Sequence, residues 1–167
     1  MESWRNTWRK GVAPLLSTES LDALRSALVN DDTRLLQGAT CTPPPLQCVQ
    51  DWPVEAACAL AYCGVRELGG FSVNGTWATD ECPVIPDRSV TRCAATVAEV
   101  EEGFARMCFE IDKAMGEPAA CRWFLNWFDD TPRDEMRREL LVEVQRALAQ
   151  RLSAEDGAAS NDETAAA

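Results

Sequence analysis

Apolar positions recur at helical spacing along most of the chain. Leu21, Leu24 and Leu28 fall at i, i+3 and i+7 behind Ser17, which suits an N-cap. That spacing predicts a helix from Ser17 to about Val29. A longer stripe follows at Val97, Val100, Phe104, Met107, Cys108, Ile111 and Met115. Glu99, Glu101, Glu102, Glu110 and Asp112 take the opposite face. Thr96-Val97-Ala98-Glu99 reads as a capping box at its start, and Gly116 as its stop. The next helix begins near Glu117-Pro118. It sets Trp123 over Trp127 and Phe124 over Phe128, each pair at i, i+4. Asp129 and Asp130 end it. Thr131-Pro132 opens the last helix, with Met136, Leu140, Leu141, Val144 and Leu148 on one face and an end near Leu152. At the other end of the chain, Ser3 caps a short helix that aligns Trp4 and Trp8 and stops at Pro14.

The period fails in three places. Asp31-Asp32 predicts one more turn, carrying Leu35 and Leu36 and closed by Gly38. The stretch Cys41 to Cys48 holds three consecutive prolines, which favour a stiff polyproline II connector. Asp51-Trp52-Pro53 then reads as the start of a helix that is apolar on most sides and therefore central and buried. Residues 65–95 form an insertion without helical period. Asn74-Gly75 within it is a hairpin signal, with Phe71, Val73 and Trp77 on one face.

The expected object is mainly α. It is a small bundle-like single domain over residues 1–152, with a loop or hairpin insertion at 65–95. Residues 153–167 carry four acids, no base and no large apolar side chain, and are expected to be a disordered acidic tail.

Composition narrows the function. The chain has 167 residues, a hydrophobic fraction of 46% and a formal net charge of −11. That charge disfavours direct binding to nucleic acid and to anionic membranes, since both need clustered Lys and Arg. It favours a basic protein partner. Histidine is absent, which removes His-based catalysis and His-ligated zinc. No secretory signal is read at the N-terminus and no run is long enough to span a bilayer, so a cytoplasmic location is expected. The eight cysteines, at 41, 48, 58, 63, 82, 93, 108 and 121, include no C-x-x-C pair. In a reducing compartment they read first as small buried hydrophobes, with redox or metal use as the alternative.

The candidate chemistry is sparse. Four carboxylates lie within Asp129–Glu135, but capping and turn geometry explain them without metal or catalysis. No phosphate-binding glycine loop, catalytic cysteine signature, metal site or cofactor motif is read. The chain therefore reads as a non-enzymatic protein–protein interaction module. Its partner-binding candidates are Trp123, Phe124, Trp127 and Phe128, together with Trp52 and Trp77. The alternatives are a cysteine-dependent redox or metal-binding protein, and an acidic mimic that occupies a nucleic-acid-binding partner. The acids are spread rather than arrayed as a phosphate-like stripe, which weakens the mimic.

Overall fold

A computed structural model describes residues 3–44, 49–52, 54–68 and 95–164, with backbone alone for 65–68 and 155–164. The fold is mainly α, as the periodicity predicts. Helix α1 spans Ser3–Thr7 and runs into a wider, π-type turn at Trp8–Val12 and a tighter 3₁₀ turn at Ala13–Leu15. Helix α2 is Thr18–Val29, α3 Ala59–Leu68, α4 Val97–Met115, α5 Ala120–Asp130 and α6 Arg133–Thr164. Two short strands, β1 (Cys41–Thr42) and β2 (Ala56–Ala57), pair antiparallel, with Cys41 opposite Ala57 and Thr42 opposite Ala56. Among the described residues no helix is long and apolar enough to cross a membrane.

The helix ends follow local chemistry. Ser17 Oγ accepts the Ser20 N–H and fixes the start of α2. Thr96 and Glu99 form a complete capping box on α4: Thr96 Oγ1 accepts the Glu99 N–H, and Glu99 Oε2 accepts the Thr96 N–H at 2.8 Å. Gly116 closes α4 at φ +67°, a left-handed position that glycine takes without strain. The end of α5 is capped from outside. Gln37 Nε2 donates to Phe128 O and Thr131 O, and Asp129 Oδ1 accepts the Gly38 N–H.

One core joins the helices. Leu21, Leu24 and Leu28 of α2 meet Met136, Leu140 and Val144 of α6, and Val97, Val100, Met107 and Ile111 of α4 face α3. Gly64 lets the backbones of α3 and α4 approach closely: a Cβ there would sit 2.9 Å from Gly103 O. Three arginines of α6 tie this helix to the N-terminal half. Arg133 donates to Leu35 O and Asp32 O, Arg137 to Leu28 O at the end of α2, and Arg151 to Ala13 O and Leu16 O.

Several expectations need correction. The central helix starts at Ala59, not at Trp52-Pro53. The residues before it are extended, because their N–H groups bond to the preceding loop rather than within a helix. Glu55 N donates to Thr42 O, Ala57 N to Arg34 O and Cys58 N to Thr40 O. The segment from Ala56 to Gly64 is nonetheless buried on all sides, as its apolar run predicts. Residues 31–38 form turns and a bridge from Leu35 to Ala57 instead of a helical turn. Helix α6 passes the stop expected near Leu152 and continues to Thr164. The added stretch lacks proline, the residue that would break the helix outright. Among the described residues the last of α6 to pack on the core is Leu148. The hairpin expected at Asn74-Gly75, with Phe71, Val73 and Trp77, lies outside the described residues.

Candidate functional site

Helix α5 sorts its aromatics by face. Phe124 and Phe128 are completely buried and stack at 5.9 Å, with Trp8 5.8 Å from Phe124. They belong to the core, where neither ring reaches solvent. Their i, i+4 spacing puts them on the side that meets the N-terminal segment. Trp127 lies a quarter turn away and is half-buried. It stacks face to face on Trp4, with ring centroids 3.4 Å apart and planes within 6°. Trp123, one turn earlier, is 37% exposed. Trp52 is exposed as well, but it stands in the turn before β2 and does not join this group. Trp77 lies outside the described residues.

Helix α1 is held against the start of α5 by Thr7, whose buried hydroxyl is within hydrogen-bond distance of both Ser3 O and Ala120 O. Helix α6 leaves α5 after a two-residue turn. The three elements enclose a groove of about 580 Å³, lined by Trp4, Trp123 and Trp127 on its aromatic wall and by Asp130, Glu135 and Glu139 on its acidic wall, with Ser3, Asn126 and Thr131 between. No basic side chain lines it among the described residues. Arg5 stands behind the aromatic wall. Its guanidinium carbon lies 4.7 Å from the Trp4 ring centre, and its Nη2 donates to Glu139 at 3.0 Å.

A second charged group on α6 has the opposite character. Glu143 is only 2% exposed. The alternation of Arg and acid along this helix suggests a solvated face, but Glu143 is turned inward. It accepts from Arg9 Nε and Nη2 at 2.7 and 2.6 Å and from Arg146 Nη1 at 3.0 Å, with Arg5 Nε at 3.7 Å. The hydrogen bonds from Arg9, with the charges of Arg146 and Arg5, hold its carboxyl below the ordinary range despite burial. This cluster fastens the N-terminal segment to α6 and leaves little charge for a ligand.

The carboxylates of 129–135 are dispersed rather than gathered. Asp129 is tied to Gly38, and burial raises its pKa. Asp134 points into solvent and stands 3.7 Å from Arg137. Asp130 and Glu135 line the groove. Among the described residues no group of three or more Cys, Asp or Glu could hold a metal ion. Cys41 and Cys58 are buried. Burial pushes their thiols up, to about 11 and about 12, and so disfavours the thiolate.

The groove residues absent from the partner-binding candidates are Ser3, Trp4, Asn126, Asp130, Thr131, Glu135 and Glu139. The i, i+4 step from Glu135 to Glu139 is readable in sequence. The arrival of Trp4 against Trp127 is not, because 123 residues separate them. No protein-family model, curated protein or solved structure matches this chain.

Proposed function

We propose that this protein is a non-enzymatic interaction module whose α1/α5/α6 groove takes a cationic side chain, Arg or Lys, from a basic partner protein. The observation that carries this reading is the pairing of two walls in one groove. Trp123 and the edge of Trp127 offer aromatic surface, and Asp130, Glu135 and Glu139 offer negative charge without an opposing base in the lining. An aromatic face attracts a cation by about 0.5–2 kcal/mol, and carboxylates beside it add direction. A net charge of −11 steers a basic partner toward the chain and repels an acidic one. The absence of histidine supports a binding role over acid–base catalysis.

The test is a titration of isotope-labelled protein with short Arg- and Lys-containing peptides, followed through the tryptophan indole N–H resonances. The Trp123 and Trp127 signals are expected to shift, with weaker binding as salt rises. Acidic peptides of the same length are expected to leave them in place. Equal response to acidic peptides, or no response to basic ones, would sink the proposal.

A further inference from the structure

One carboxylate of the groove already holds a cation from this chain. Arg5, in the middle of α1, reaches from that helix to α6. Its guanidinium carbon lies 4.7 Å from the Trp4 ring centre, and its Nη2 donates to Glu139 Oε2 at 3.0 Å. Trp4 and Glu139 both line the groove. An aromatic ring and a carboxylate together hold this guanidinium, as the groove is proposed to hold the partner's cation.

Two carboxylates one turn apart on α6 depend on Arg5 unequally. Glu143 accepts from Arg9 at 2.7 and 2.6 Å and from Arg146 at 3.0 Å, while Arg5 Nε stands 3.7 Å away. Glu143 therefore stays served when Arg5 leaves. Among the described residues Arg5 is the one cation that Glu139 meets. The Glu139 side chain is 25% exposed and that of Arg5 29%, so water and an incoming side chain reach the pair. Ion pairs open to water are weak and screened by salt, and this one is built to exchange rather than to lock. On release Arg5 is not stranded, because Glu143 and solvent are both within its reach.

We propose that Arg5 is a built-in competitor of the groove: it occupies Glu139, and a basic partner's side chain must displace it to engage that carboxylate. This rests on the reading of the groove as a cation site. The apparent affinity for the partner is lowered by the fraction of time that Glu139 is occupied from within. Arg5 thus sets the strength of the site, whereas Asp130 and Glu135 remain open to the partner throughout.

The probe is a short blocked peptide with one central arginine, titrated into the isotope-labelled full chain and followed through the Trp123 and Trp127 indole signals. Arg5→Gln is expected to bind it about three- to tenfold more tightly, with a steeper loss of affinity as salt rises. That gain is expected to vanish when Glu139→Gln is also present, because the freed carboxylate is its source. Arg25→Gln removes the same charge from α2, where Arg25 pairs with Asp22, and is expected to change affinity by less than about twofold. The proposal is overturned if Arg5→Gln leaves affinity unchanged or weakens it, if its gain survives Glu139→Gln, or if Arg25→Gln matches it. Those results leave the groove reading standing, since the parent chain still binds the peptide. Binding by neither the parent nor Arg5→Gln overturns both. If Arg5→Gln does not fold, the parent chain decides through the Arg5 side-chain Nε–H resonance. It is expected to shift as the peptide saturates, and a resonance that stays in place overturns the proposal.

Discussion

Two places in the molecule set aromatic rings and carboxylates together, and they end as different things. On the inward side, Phe124 and Phe128 are fully covered, and the buried Glu143 is answered by Arg9, Arg146 and Arg5. On the groove side, Trp123 is open and Trp127 half-covered. Of Asp130, Glu135 and Glu139, the structure gives Glu139 a cation, Arg5. Residue type does not separate the two places. What separates them is whether the N-terminal segment reaches over. It brings Trp8 onto Phe124 and Arg9 onto Glu143, but at the groove it contributes Trp4 as a backing ring and stops. Aromatic and acidic groups that find partners within the chain become architecture. Those left half-partnered line the groove that we propose takes a basic partner's side chain.

The comparison is broken most severely from the inside. Phe124→Ala removes a fully buried ring and is expected to cost about 3–5 kcal/mol, read from urea denaturation. A loss below about 1 kcal/mol would mean that this side of α5 is not core. Trp127→Ala tests the border between the two places. It deletes a half-buried ring stacked on Trp4, and an expected loss of about 2–3 kcal/mol places it between core and rim.

Glu143→Gln comes next, at about 1–2 kcal/mol near neutral pH, because charge-assisted hydrogen bonds become neutral ones while the arginines keep access to water. Its pH signature is more telling than its size. A carboxyl held below its ordinary value lends stability that is full above the unfolded pKa of about 4.3. That stability drains away as pH falls through the lowered folded value. The parent chain should therefore lose stability more steeply than Glu143→Gln below about pH 4, and the two should converge in acid. Parallel curves would remove Glu143 from the inward architecture.

Much of the architecture is legible in the sequence where its cause is local. The capping box at Thr96–Glu99, the Ser17 cap, the Gly116 stop and the apolar stripes of α2, α4 and α6 each depend on residues a few positions apart. The failures share one cause. The start of the central helix was displaced to Ala59 because the N–H groups of Glu55, Ala57 and Cys58 are taken by Thr42, Arg34 and Thr40, which no local pattern encodes. Phe124 and Phe128 could not be told from Trp123 and Trp127 by spacing, since both pairs sit at i, i+4. In each case the deciding atom comes from another element.

The smallest expected effect on stability carries the most information about function. Trp123 is 37% exposed and stands at the open end of the aromatic wall, so Trp123→Ala should change unfolding free energy by no more than about 0.5 kcal/mol. Its effect on basic-peptide affinity should be far larger, about tenfold, because a cation set over an indole and flanked by carboxylates loses its aromatic partner. Glu135→Gln should weaken the same peptides by less and reduce the salt dependence, since it removes one exposed charge and no surface. A Trp123→Ala protein that unfolds with the ease of Phe124→Ala would move the whole of α5 into the core. One that keeps both its stability and its affinity would leave the groove without its aromatic wall, and the division between the two places would then rest on charge alone.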